Sequence, residues 1–126
     1  MASSPAFAAT PRNSDVNITT ADTSRTAPTN VGTVFTAGAS GSRIDSVIIT
    51  ATGTTTAGVV RLWVYTGTVY FLMSETLVTV ITPSVTVGVF TASLSFNTLL
   101  LPSGYSLRAT TNNAESFNVL AFGGDF

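Results

Sequence analysis

From Val31 onward the chain alternates apolar and polar residues over short segments, each ended by Gly, Pro or Asn. The clearest case is 90–96, where Phe90, Ala92, Leu94 and Phe96 alternate with serine and threonine. A period of two places successive side chains on opposite faces of a β-strand, whereas a helix would need apolar spacings of three and four. No long window shows that helical spacing, and the abundant Thr and Val disfavour helices. The pattern therefore predicts an all-β protein.

The Gly, Pro and Asn residues between these segments divide the chain into seven or eight predicted strands. They cover 32–37, 43–51, 59–65, 69–73, 76–81, 90–96, 105–111 and 117–122. Thr66-Gly67 predicts a tight hairpin turn, and the glycine-rich run 38–42 is also interpreted as a hairpin turn rather than a phosphate loop, because no Lys and no helix follow it. A length of 126 residues fits one domain. We expect a single antiparallel β-sandwich of the jelly-roll kind over residues 31–126.

Residues 1–30 differ from the rest of the chain in composition. They are rich in Ala, Ser, Thr, Asn and Pro, and their only large apolar residues after Met1 are Phe7, Val16 and Ile18. A segment with so little to bury is predicted to be an extended N-terminal arm that docks on a partner surface rather than on its own domain.

The chain lacks the residue types that most enzymes use. It contains no histidine, no cysteine and no lysine. It therefore has no imidazole proton shuttle or metal ligand, no thiolate and no Schiff-base amine, and its serines have no base nearby to activate them. No two of the six carboxylates are spaced so that one strand or turn would bring them together. We expect no catalytic residues, no cofactor, no metal and no enzymatic activity.

Charge is also scarce. Charged residues make up 9% of the chain and the formal net charge is −1, which gives no basic field to attract nucleic acid. No apolar run is long enough to span a membrane, and residues 1–10 do not resemble a signal peptide. A weakly charged β protein has little repulsion to prevent self-association. We therefore expect neighbouring proteins to cover much of its surface.

The predicted strand 59–65 has two distinct faces. One carries three aliphatic residues, and the other carries Arg61, Trp63 and Tyr65. An outward Arg beside two aromatic rings could form a protein interface or stack on a sugar. The alternative is packing, with Trp63 in the core and Arg61 extending along the sheet edge. All three interpretations stay open at this point.

The last predicted strand, 117–122, is apolar on both faces, as in a central or interface strand. Phe122 closes this strand and Phe126 ends the sequence. We expect both phenylalanines to contact a neighbouring subunit.

Three segments carry a resemblance to a known class of protein. They are TVFTAGASGSRID (33–45), TTTAGVVRLWV (54–64) and LPSGYSLRATTNNAESFNVLAFGGDF (101–126). The chain resembles small β-rich structural proteins of tailed bacteriophages and prophages, including head decoration or cement proteins, over residues 30–126. The resemblance implies a virion component, frequently a trimer.

These observations predict a non-enzymatic capsid decoration or cement subunit. It would be assembled in the host cytoplasm into the virion, where it would stabilise the head by bridging capsid proteins. Its expected partners are the major capsid protein and copies of itself in a homo-oligomer, with a trimer favoured, and neither nucleic acid nor membrane. The alternative is a tail, fibre or collar component that binds host glycans through Arg61, Trp63 and Tyr65.

Overall fold

The computed structural model describes residues 9–126, except the side chain of Thr98. Within that range the protein is all-β and contains no helix. The eight strands are β1 (Thr10–Ile18), β2 (Gly32–Thr36), β3 (Ser42–Ala51), β4 (Gly58–Tyr65), β5 (Tyr70–Val78), β6 (Thr91–Leu101), β7 (Ser106–Thr111) and β8 (Phe117–Asp125).

These strands form two four-stranded antiparallel sheets. The first sheet has the order β1-β8-β3-β6 and the second has the order β2-β7-β4-β5. Over residues 9–126 neither sheet closes on itself, so β1, β6, β2 and β5 are edge strands. A single hydrophobic cluster draws on both sheets, with Val47 and Val119 from the first and Leu62 and Leu107 from the second, all fully buried. The fold is therefore sandwich-like.

The hairpin predicted at Thr66-Gly67 is confirmed, since β4 and β5 pair directly, with Tyr65 opposite Tyr70. The Thr66 amide donates to the Val69 carbonyl at 3.0 Å, and Gly67 takes a positive φ of 99° that favours glycine. The two short strands predicted at 69–73 and 76–81 are one strand, β5. An irregularity in its pairing, opposite Leu62 and Trp63, interrupts the apolar alternation.

The glycine-rich run 38–42 is a turn but not a hairpin turn, so that interpretation is wrong. The Gly41 amide donates to the Gly38 carbonyl at 3.0 Å. The strands on either side of this turn lie in different sheets, because β2 pairs with β7 and β3 pairs with β6 and β8. The run therefore carries the chain from one sheet to the other.

The structure differs from the expected arm over residues 1–30. Residues 10–18 form β1, which pairs with β8 along its whole length, from Thr10 opposite Asp125 to Ile18 opposite Phe117. Main-chain pairing needs few apolar side chains, and at the end of the strand Ile18 is buried in the core and Val16 packs against it. Of the predicted arm, residues 1–8 lie outside the described residues.

β8 also extends beyond its predicted end at residue 122. It continues through Gly123 and Gly124 to Asp125, opposite both β1 and β3. A Cβ atom at Gly123 would lie 1.9 Å from the Arg43 carbonyl oxygen, closer than any real contact. Glycine is needed here because β3 approaches β8 closely beside an irregularity at Asp45, and it does not end the strand.

Candidate interaction surfaces

Arg61 is buried on the outer face of the second sheet. Its side chain is 1% exposed. The Nε atom donates to Glu75 Oε2 at 2.7 Å, Nη1 donates to the Asp22 carbonyl at 3.1 Å, and Nη2 donates to Asn112 Oδ1 at 3.2 Å. Arg61 therefore joins β4, β5, the β7–β8 turn and the segment after β1. It does not extend to the sheet edge and offers no free surface.

The segment 22–30 lies beside Arg61 and is held in shape by Asp22. The Asp22 carboxylate accepts hydrogen bonds from the amides of Ser24, Thr29 and Asn30 at 2.7 to 3.0 Å. Burial alone would raise the pKa of Asp22, but these amide hydrogen bonds outweigh it and hold the pKa below its ordinary value. Within the segment, Arg25 Nε donates to Glu75 Oε2 at 2.7 Å. Segment 22–30 is thus tied to the second sheet.

Trp63 is fully buried but is not part of the central hydrophobic cluster. Its Nε1 donates to Thr110 Oγ1 at 3.0 Å, and its ring meets the Tyr70 ring edge-on with centroids 6.1 Å apart. Trp63 lies on the opposite face of β4 from Leu62, which belongs to the cluster. Its burial agrees with packing within the sheet, although the packing is on the outer face rather than in the core.

Tyr65 is the one residue of the predicted binding face that is not buried. It is half-buried, and its ring lies 4.2 Å from that of Tyr70, centroid to centroid. The Arg108 guanidinium lies 4.5 Å from the Tyr65 centroid, and its Nη1 donates to the Tyr70 hydroxyl at 3.3 Å. Sequence reasoning missed Tyr70 and Arg108, because the pairing of β4 with β5 and β7 brings them together. The Tyr65 hydroxyl donates to the Gly67 carbonyl and Arg108 Nε donates to Ser106 Oγ, each at 2.9 Å, so these polar groups already have partners in the chain.

The two phenylalanines of the predicted C-terminal contact lie apart. Phe122 is half-buried on β8, between Asn13 of β1 and Ser46 of β3. Phe126 is 37% exposed, and its amide donates to the Gly41 carbonyl at 3.1 Å.

Between these phenylalanines, Asp125 forms a polar cluster at the end of both sheets. Arg12 Nη1 lies 3.0 Å from both oxygens of the Asp125 carboxylate, Ser42 Oγ donates to Oδ1 at 2.6 Å, and Arg12 also bonds to the Thr36 carbonyl. The Arg12 guanidinium lies 3.9 Å from the centroid of the Phe35 ring. These contacts fix β1 and β8 to the second sheet.

The outer face of the first sheet carries few charged side chains. Ile48, Leu120 and Phe122 are half-buried there, with Leu120 directly opposite Ile48. Hydroxyl and amide residues flank them, with Asp15 on β1, and the paired Arg43 and Asp45 lie farther along β3. An apolar centre with a polar rim is the usual anatomy of a protein interface.

None of these surfaces carries a reactive constellation. Among residues 9–126 no three carboxylates lie close enough together to hold a metal ion. A cleft of about 330 Å³ between the end of β1 and residues 29–32 is lined by Thr, Asn, Ile, Val and Gly, so no ionisable side chain lines it. Over the same range no helix is long and apolar enough to cross a membrane.

We expect the stability of the fold to be constant near neutral pH and to fall in acid. Hydrogen bonds from Arg25 and Arg61 hold the pKa of Glu75 low, as the amide bonds do for Asp22. A carboxylate whose pKa is lower in the folded than in the unfolded state stabilises the fold at a pH above its unfolded-state pKa. This stabilisation is lost as the pH falls through the folded-state pKa. Urea midpoints should be flat between about pH 6 and 8, since the chain has no histidine, and should fall below about pH 4. The acid-dependent fall of the urea midpoint should be smaller in Asp22→Asn. A midpoint that changes mainly near neutral pH would contradict the assignment of this fall to Asp22 and Glu75.

No protein-family model matches this chain, and comparison with curated proteins and with solved structures gives no match.

Proposed function

We propose that this protein is a non-enzymatic structural component of a phage virion, a head decoration or cement subunit that bridges neighbouring capsid proteins. The observation that carries the proposal is the arrangement of eight strands in two sheets of orders β1-β8-β3-β6 and β2-β7-β4-β5. Jelly rolls have eight strands in two sheets and occur in viral capsid and lectin domains.

The connections support a jelly roll. Every connection passes from one sheet to the other except β4 to β5, which is a hairpin. The first and last strands, β1 and β8, are neighbours in the first sheet, as they are in a fold built of two Greek keys. Fold alone does not define function, so the proposal also relies on the charge-poor surface and on the resemblance to phage structural proteins.

The capsid contact we propose is the outer face of the first sheet. Its apolar centre, formed by Ile48, Leu120 and Phe122, would pack on the major capsid protein, and its hydroxyl and amide rim would form hydrogen bonds. Each such contact is small, but the symmetry of a shell repeats it many times, so the sum stabilises the particle. The partners are then the major capsid protein and other copies of this chain, with the trimer that the resemblance implies and without nucleic acid or membrane.

The test is co-sedimentation of the purified protein with tailless shells of the phage that encodes it. We expect saturable binding that weakens at least about tenfold in Leu120→Lys, because a charge in the apolar centre would lose its hydration. The comparison is Leu100→Lys, at an exposed leucine on β6 that shares this outer face but lies opposite Arg43, away from the apolar centre, and it should weaken binding much less. Absence from shells together with labelling confined to the tail would overturn the cement function.

A tail component that binds host glycans is the second candidate, and the burial of two of its three residues weakens it. Arg61 and Trp63 are inaccessible, so only Tyr65, with Tyr70 and Arg108, could contact a saccharide. Titration calorimetry against a broad glycan panel should give no heat. Binding that is lost in Tyr65→Ala would instead favour the tail function.

A further inference from the structure

The exposed large apolar side chains of this protein are concentrated in one part of the chain. Among the described residues nine such side chains are exposed, and seven of them lie between residues 69 and 87. They are Val69, Phe71, Leu72, Leu77, Val80, Val85 and Val87, on β5 and on the loops at its two ends. We call this surface the β5 flank.

The β5 flank is also almost free of charge. Between Arg61 and Arg108 the chain contains one charged residue, Glu75. The Glu75 carboxylate is paired with both Arg25 and Arg61 of the same chain, each at 2.7 Å. No unpaired charge therefore stands along β5 to keep another protein away.

The main chain of β5 is open on one side. β5 is nine residues long and pairs only with β4, so its other side has no strand partner among residues 9–126. Natural proteins usually protect such edges with Lys, Pro, bulges or short strands. The β1 edge carries Pro11, Arg12 and Asp15, and β2 is only five residues long. β5 has neither Lys nor Pro, and one pairing irregularity is its only such device.

We propose that the β5 flank is the surface through which copies of this chain associate, with β5 of one copy pairing with an edge strand of the next. The seven side chains lie on both faces of β5 and on its two loops, and together they offer on the order of 700 Å² of surface to a partner at this edge, against the roughly 800 Å² that each partner buries in a standard interface. Strand pairing adds main-chain hydrogen bonds to this apolar burial.

The chemistry of the flank favours a copy of this chain over a charged partner. A flank without free charge cannot recognise a basic or acidic surface by complementarity, whereas a second copy offers the same apolar and hydroxyl groups. The formal net charge of −1 leaves little repulsion between copies. This inference deepens the homo-oligomer of the proposed function. Its test uses the protein alone, so failure of self-association and failure of capsid binding are separate results.

The test is the molar mass in solution. The chain has a mass of 13.0 kDa, and light scattering at high micromolar concentration should give a mass of at least two chains. Leu77→Lys, at a side chain that is 78% exposed and so does not contribute to the core, should weaken association at least about tenfold. Leu120→Lys, on β8, which is an interior strand of the first sheet and not an edge strand, is the matched control and should leave the mass unchanged.

Amide hydrogen exchange gives a second readout without any substitution. Exchange in residues 70–78 should slow as the concentration of the wild-type protein rises, while exchange in β1 should not change. A monomeric mass at all concentrations, or an oligomer that Leu77→Lys leaves intact, would overturn the proposal.

Discussion

Deletion of residues 2–28 is expected to abolish folding of the domain. It removes all of β1, which pairs with β8 over nine residues, together with the buried Ile18 and the Asp22 carboxylate that organises segment 22–30. It also leaves Asp125 without its ion pair to Arg12. The free energy lost with a strand, a core side chain and an ion pair is expected to exceed the free energy of unfolding of a domain of this size, roughly 5–15 kcal/mol.

A shorter deletion provides the control. Removal of residues 2–8 leaves every residue of β1 in place, so circular dichroism and the urea midpoint should match those of the full chain. If the protein lacking 2–28 kept a cooperative urea transition, residues 10–28 would be a dispensable arm and the account of β1 would be wrong. Docking of residues 1–8 on neighbouring subunits stays a prediction, tested by the shell affinity of the shorter deletion.

Replacing Arg61 by alanine is expected to be the most destabilising single substitution discussed for this protein, at about 3–5 kcal/mol in the free energy of unfolding. Truncation leaves a cavity in a site that is 1% exposed. It also removes the donors to the Asp22 carbonyl and to Asn112 Oδ1. Urea denaturation at neutral pH measures the loss.

Two variants separate the contributions of Arg61. Arg25→Ala removes the other cation on Glu75, but its side chain is 61% exposed, so it should cost less than about 1 kcal/mol. Arg61→Met keeps most of the volume without the donors, and its stability should lie between those of Arg61→Ala and the wild type. Equal stability of Arg61→Ala and Arg25→Ala would show that Arg61 is not a buried anchor.

The sequence could predict the strands whose apolar faces alternate but not the way they assemble. Segment 90–96 shows this well, since Ala92, Leu94 and Phe96 pack against the core while Ser93 and Ser95 are exposed. β1 gives no such signal because an edge strand can be held by main-chain pairing, which is the same for every residue type except proline. The glycine run 38–42 has the composition of a hairpin turn, and only the partners of β2 and β3 distinguish a hairpin from a crossing.

The candidate site was harder to predict than the strands. Arg61 and Trp63 are on the outer face of their sheet, as the alternation indicates. The groups that bury them there belong to residues distant in sequence. Asp22, Asn112 and Thr110 supply the partners of these two side chains, and none of them is near strand 59–65 in sequence. Period-two reasoning identifies the face of a side chain and carries no information about loops that fold over it.

The pairing of β1 with β8 also has a consequence for how the protein folds. Thr10 lies opposite Asp125, so the first described strand cannot find its partner until nearly all of the domain has been synthesised. Contacts this distant in sequence make folding slow, since the cost of closing the intervening chain comes before the contacts that reward it. During that delay the apolar β5 and its flanking loops belong to a chain that has not finished folding and can aggregate. Refolding yield should therefore fall steeply as protein concentration rises.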